Sequence, residues 1–405
     1  DVLVVSASDG SDLEVASGEW IVQLTDFALE GIDSIFDTAA LFTRNEVGLQ
    51  PVKGLGRVGE ILVRTTSPET ENVAAWLANN PLIAFFEPNA VVSATVMPSA
   101  TVTPNDPYYT QLWGLHNTGR IHTTGQLGGA VDADIDAPQA WDITTGSADV
   151  IVASLDTGVD YSHPELAAHL WINAPELDGV PGVDDDGNGM IDDFRGWDLH
   201  NGDNDPFDDN YHGTHVTGTI AATGNNGIGV AGVSWATTIL PVKVWDENGR
   251  GLTAATVAGV NYVSMMRRDH DVDVLAINLS GGNYPFKEPY EETSSLRLAI
   301  KEARDAGILF VAAACNNGID NDIFPAYPGS YTLDNIVSVA ATDHEDVLAP
   351  FSSFGLISVD LAAPGVDVLS TFPTYVTPAI DARGYSTEYQ RLSGTSMAAS
   401  HVTGT

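Results

Sequence analysis

Near-continuous apolar runs alternate with helical periodicity from about residue 108 to the end of the chain. Residues 149–156 (DVIVASLD), 237–246 (TTILPVKVWD), 272–281 (VDVLAINLSG), 307–316 (GILFVAAACN) and 335–341 (NIVSVAA) carry apolar side chains at consecutive positions. Strands buried on both faces read this way. Between them, 253–269 (TAATVAGVNYVSMMRRD) and 294–307 (SSLRLAIKEARDAG) read as helices, and Gly307 suits the left-handed residue that closes one. The pattern predicts an α/β fold, a parallel sheet flanked by helices, with functional groups at the carboxyl ends of its strands.

The first 97 residues follow another rule. GEWIVQL (18–24) and GEILVRT (59–65) read as strands, ETENVAAWLANN (69–80) as a helix, and LIAFFEPNAVVSATV (82–96) as one or two returning strands. This is a small α+β unit. MPSATVTPNDP (97–107) holds three prolines among small polar residues and reads as an exposed connection. The expected division is a domain over 1–97, a linker over 98–107 and a second domain over 108–405.

Composition narrows the function classes. The 405 residues are 43% hydrophobic, enough to bury a core, and 55 acidic against 16 basic residues give a net charge of −39. Nucleic acid is excluded as a partner, because phosphate binding draws on clustered Lys and Arg. Cations are the favoured counterpart. Cys315 is the sole cysteine, so no intrachain disulfide forms. No apolar run approaches the roughly 18 residues of a membrane helix. A monomer is expected.

The chemistry concentrates in a few stretches. Asp156 ends a predicted strand in SLDTGVD, Asn316 ends another in AAACNNG, and Ser396 sits in LSGTSMAASHV, a small-residue turn opening an apolar helix. A developing anion is favoured at such a helix start. YHGTHVTG places His212 and His215 three positions apart, whereas a helical zinc motif spaces its histidines at i and i+4 around a glutamate. Zinc hydrolysis through these two histidines lacks an evident third ligand. An aspartate, a histidine and a serine instead suit acyl transfer, with serine as nucleophile, histidine as base and aspartate as its orienter. The chain order Asp156, His212, Ser396 excludes an α/β-hydrolase, whose acid and histidine follow its serine.

SLDTGVDYSHPEL, HGTHVTGTIAA and GTSMA resemble the three signature motifs of the subtilisin-like serine proteases, the subtilases. The resemblance spans roughly residues 105–405, with further agreement in PNDPYYTQLWGLHNTG, DIDAPQAWDITTG and SGGN. It implies that His212 is the base and His215 a structural member of the following helix. Asn316 matches the family's oxyanion asparagine, and Ser280, Gly281 and Gly282 the strand that pairs with the substrate backbone. The first hundred residues resemble the family's inhibitor-type propeptide, which implies an intramolecular inhibitor and a maturation site near 97–107. A secreted endopeptidase acting on proteins or peptides is implied, its export signal lying outside this sequence.

Calcium is the expected cofactor. DDDGNGMIDD (184–193) sets Asp184, Asp186 and Asn188 at alternating positions before Gly189, like the start of an oxygen-lined calcium loop, with Asp192 or Asp193 replacing the closing glutamate. GNNGIGVAG (224–232) resembles the family's strong calcium loop, with Asn226 as a ligand and Glu165 where the family commonly has an aspartate. DNDPFDD (203–209) reads equally as an ion site and as a charged loop before His212. Three departures from the family pattern stand out: Cys315 in place of a glycine beside Asn316, Ser400 in place of a proline, and a final helix expected to run on past Thr405. The rival to an active protease is a catalytically dead scaffold serving as a calcium-binding surface or adhesive module.

Overall fold

The computed structural model describes residues 2–6, 12–25, 28, 48–55, 59–65, 70–90, 102–119, 129–282 and 294–405. The chain divides into two compact units, Asp1–Met97 and Pro98–Thr405.

The first unit is an antiparallel sheet of β1 (Val2–Ser6), β2 (Asp12–Leu24), β3 (Leu49–Gly54), β4 (Glu60–Thr65) and β5 (Ile83–Ala90), with the helix α1 (Thr70–Ala78). Strand β2 is the spine: it pairs with β1, β4 and β5. Alternation along β4 turns Ile61 and Val63 inward, where they meet Val22 of β2 and, one helical turn apart, Val73 and Leu77 of α1. Of the strand or strands expected over 82–96, β5 ends at Ala90, and 91–96 lie outside the described residues. The β1–β2 hairpin is an addition, since Val2–Ser6 is too short to show a period.

The second unit is built on a seven-stranded sheet. Its strands are β6 (Ile151–Asp156), β7 (Trp197–Asp198), β8 (Thr238–Lys243), β9 (Val274–Leu279), β10 (Leu309–Ala313), β11 (Ile336–Thr342) and β12 (Leu361–Pro364). Their order is β12-β11-β10-β9-β6-β8-β7, and every pair is parallel. Four helices cover it: α2 (His212–Ala221), α3 (Thr253–Asp269), α4 (Ser295–Asp305) and α5 (Thr395–Gly404). On one face Leu155, Leu240, Ile277 and Phe310 meet Val263 and Met266 of α3 and Ile300 and Ala303 of α4. On the other, Val152 and Ile239 pack with Val216 and Ile220 of α2 and Met397 of α5, while Val311 and Val339 meet Ala398 and Ala399. Consecutive residues of one strand thus enter opposite cores, which is why its sequence reads as an unbroken apolar run.

After α4, Gly307 holds φ 77°, the left-handed conformation that glycine takes without a Cβ penalty. A two-stranded ribbon of β13 (Val368–Thr371) and β14 (Tyr389–Leu392) lies outside the main sheet. The chain runs from β6 outward to β8, then returns to β9 on β6's other side. Sheets of this kind bind ligands outside the carboxyl ends of the strands where the order reverses. Asp156 and Ser280 stand at those two ends. Among the described residues no helix is long and apolar enough to cross a membrane.

Candidate active site

Two aligned backbone ends hold the imidazole and its carboxylate together. Asp156 is the last residue of β6 and is fully buried, and His212 is the first residue of α2. Asp208 and Thr157 lash the two together. The Asp208 carboxylate accepts from the Thr157 hydroxyl (2.8 Å) and from the Thr214 N–H (2.9 Å) and hydroxyl (2.6 Å), while the Gly213 N–H donates to Thr157 Oγ1 (3.0 Å). Asp208 therefore satisfies donors of the first helical turn that have no partner within the helix. Burial pushes its carboxyl up to about 6 despite these bonds. Gly213 cannot be replaced here, because a Cβ would fall 2.0 Å from the Gly158 carbonyl oxygen.

His212 Nδ1 lies 2.8 Å from Asp156 Oδ1 and 2.9 Å from Oδ2. A carboxylate only accepts, so Nδ1 carries the proton and Nε2 of the neutral ring keeps its lone pair. Burial alone would lower the imidazole's pKa. The charge and hydrogen bond of Asp156, with Asp208 behind it, outweigh burial and raise it above 6.5. The side chain keeps 23% of its surface exposed, which leaves the ring accessible.

Ser396 is the second residue of α5, nearly buried at the positive end of that helix. Its hydroxyl donates to the Ser280 carbonyl (2.8 Å), and the Ser280 hydroxyl donates back to the Ser396 carbonyl (3.0 Å). Among the described residues Ser396 and His212 share no hydrogen bond. Ser400, where the family has proline, donates to the Ser396 carbonyl (2.8 Å), one turn back along α5.

Asn316 follows β10. Its Oδ1 accepts from the Thr395 N–H (2.8 Å) and hydroxyl (3.1 Å), which fixes the amide and leaves Nδ2 as the free end. A Cβ placed on Gly394 would lie 3.6 Å from Asn316 Nδ2 and 3.7 Å from the Ser396 backbone nitrogen. These two donors thus border one small space. Ser280, Gly281 and Gly282 form a wall between two cavities, one of about 210 Å³ reaching Ala313, Cys315, Asn316 and Ser396, the other of about 580 Å³ reaching His212, Trp245 and Tyr327. Cys315 takes φ 75°, a left-handed conformation costing a residue with a Cβ roughly 1–2 kcal/mol, and its Sγ would lie 3.1 Å from a Cβ on Gly282. The thiol is part of the smaller cavity's wall.

His215 turns away from His212. Its Nε2 donates to the carbonyls of Val368 (3.0 Å) and Gln390 (3.1 Å), and the ring is fully buried. Burial pulls its pKa down to about 3, so the ring is neutral. The group of possible metal ligands found among the described residues, Glu176, Asp184 and Asp186, includes neither histidine of the HGTH stretch.

The calcium candidates fall into two groups. Glu165 is fully buried, accepting from Asn226 Nδ2 (2.8 Å) and the Val230 N–H (3.1 Å), and burial pushes its carboxyl up to about 7. Asp106, missed in the sequence, accepts from the N–H groups of Asn225 (2.7 Å) and Asn226 (3.2 Å). In the acidic loop, carboxylate oxygens of Glu176, Asp184 and Asp186 lie within 4.8 Å of one another. Glu176 lies upstream of the alternating Asp/Asn signature, so the spacing does not reveal it. Asn188 instead bonds through Nδ2 to Asp186 (3.1 Å) and Asp193 (2.9 Å), and Asp192 Oδ2 accepts from the Gly182 N–H (2.8 Å).

Asp156, His212 and Ser396 thus stand in that chain order at ends of elements of a parallel-sheet fold. The sequence profile of the subtilase family matches residues 147–405. A thermophilic serine proteinase of Bacillus sp. (strain AK1) is 34% identical over 360 residues, covering 89% of this chain and 71% of that protein. Thermitase of Thermoactinomyces vulgaris is 35% identical over 304 residues, 75% of this chain and 83% of its own. A solved protease structure from Pseudoalteromonas arctica PAMC 21717 superposes with a TM-score of 0.57 at 29% identity, over 75% of this chain and 85% of that one. The chain belongs to the subtilase family and is a subtilisin-like serine protease.

Proposed function

We propose that this protein is a secreted endopeptidase, made as a propeptide-inhibited precursor, that cleaves peptide bonds through Asp156, His212 and Ser396. The observation that carries the reading is the His212–Asp156 pair, at 2.8 and 2.9 Å, on the strand and helix ends that Asp208 joins. Ser396 Oγ attacks the carbonyl carbon while His212 Nε2 takes its proton, and Asp156 holds the Nδ1–H and stabilises the imidazolium. The tetrahedral oxygen is received by Asn316 Nδ2 and the Ser396 N–H. His212 then protonates the leaving amine, and water, activated by the same nitrogen, releases the acyl group from Ser396.

Asn316→Ala should lower kcat by roughly 10²–10³-fold with little change in KM, since the lost bond forms only to the oxyanion. Steady-state kinetics on a peptide substrate check this, and an unchanged kcat contradicts it. The pH profile tests the base. His212 works deprotonated, and Asp156 raises its pKa above 6.5. So kcat/KM should climb with a midpoint above 6.5, while a flat profile or a midpoint below 6 contradicts His212 as base.

Residues 1–97 act as the propeptide and 98–107 as the segment cut on maturation; a first unit with its own core supports this. Calcium, when bound, supplies positive charge among carboxylates of a strongly acidic chain and takes no part in the chemistry. The all-oxygen group of Glu176, Asp184 and Asp186 suits it. Glu165, beside Asp106, suits it also, because a cation's charge would offset the burial that pushes the Glu165 carboxyl up.

A further inference from the structure

The larger cavity has an unexpected lining. Acidic residues make up 55 of the 405 positions, about one in seven, yet among the described residues none lines this cavity, and the one permanently charged described residue in its lining is Arg250. The residue is exposed, and its guanidinium forms no ion pair among the described residues. Its polar contacts are made by the backbone: the Arg250 N–H donates to Asp246 Oδ1 (2.8 Å), and its carbonyl accepts from the Asp246 N–H (2.7 Å). Asp246 Oδ1 also accepts from the Asn248 N–H (2.9 Å), and Glu247 Oε1 accepts from Asn248 Nδ2 (2.9 Å). Among the described residues, a cation without an ion-pair partner thus lines this cleft in a chain of net charge −39.

Strand geometry says which substrate residue meets it. An extended peptide alternates its side chains between two sides. Laid along Ser280–Gly282, the residue before the cleaved bond falls beside Ser396 and Asn316, in the smaller cavity. The second and fourth residues before the bond then fall in the larger one, on the His212 side. Trp245 divides that space. One end of its indole (Cη2) lies 2.4 Å from where a Gly281 Cβ would be, and the other (Cδ1) 2.4 Å from where a Gly251 Cβ would be. Arg250, next to Gly251, therefore stands across the indole from Gly281. The second residue meets Trp245 and His212, and the fourth, roughly 6–7 Å further along, reaches the Arg250 end.

We propose that Arg250 selects substrates carrying an acidic side chain four residues before the cleaved bond. A carboxylate there gains an ion pair that no described residue supplies to this arginine, while a lysine meets the guanidinium. The inference rests on the endopeptidase reading above.

The test uses matched peptides differing only in whether Glu, Gln or Lys stands at the fourth position, with Glu also moved to the second and third. Each is assayed for kcat/KM with the whole protein, Arg250→Gln and Arg250→Glu. Wild type should favour Glu over Gln at the fourth position by about two- to five-fold at low salt, the scale of an exposed ion pair, and lose the preference at high salt. Arg250→Gln should abolish the preference, and Arg250→Glu should turn it toward Lys. The Gln peptide is the neutral reference within each form, so that the Glu-to-Gln and Lys-to-Gln ratios are what is read. Equal rates for Glu and Gln in wild type overturn the proposal, as does a preference that survives Arg250→Gln or appears at the second or third position. If no peptide is cleaved by any form, the endopeptidase reading falls and this proposal with it.

Discussion

Ser396→Ala should lower kcat by roughly 10⁶-fold and leave the fold in place. In the proposed mechanism the hydroxyl is the attacking nucleophile; without it, neither His212 nor the donors at Asn316 and Ser396 N have a covalent intermediate to serve. The cost to folding is small for a stated reason. The side chain makes a single hydrogen bond through its hydroxyl, to the Ser280 carbonyl, and Ser280 remains tied to α5 through its own hydroxyl and to Asn278 Nδ2 (2.9 Å). Turnover of a peptide substrate, measured beside circular dichroism, checks both halves. Activity above one-hundredth of wild type, or a mutant that is unfolded, contradicts the account.

Asp156→Asn should cost roughly 10⁴-fold in kcat with the geometry nearly intact. The amide can still accept from the Thr157 N–H, as Oδ1 does now at 2.7 Å. It also brings an N–H₂ donor toward His212 Nδ1, which favours the tautomer with the proton on Nε2. That tautomer cannot accept from serine. Because Asp156 is the leading influence that raises the His212 pKa against burial, its loss should also move the imidazole titration to lower pH. NMR titration of His212 in the mutant reads this directly. An unmoved midpoint would mean that Asp156 does not govern the ring.

Much of this site was legible in the sequence because its parts are ends of regular elements. The run 149–156 is apolar where both sheet faces are covered and stops at Asp156, and the small residues before Ser396 mark a helix start. Other parts depend on contacts between distant segments, which no local period records. Asp208 reads as one carboxylate in a charged loop; only folding puts Thr157 and Thr214 against it. Glu176 and Asp106 joined the acidic groups for the same reason. The short strands β12, β13 and β14 have four residues each, too few to show alternation. The Ser396 rotamer belongs to a local choice of acceptor, Ser280 over His212, that residue types do not reveal.

The most direct test of the central claim is the intact mass, with peptide mapping, of wild type and Ser396→Ala after exposure to an organophosphate acylating-site probe. The account predicts one adduct on wild type, carried by Ser396, and none on the mutant. A wild type that takes no adduct, or an adduct elsewhere that the mutant also acquires, would contradict Ser396 as an activated nucleophile and return the molecule to a scaffold that binds without cutting.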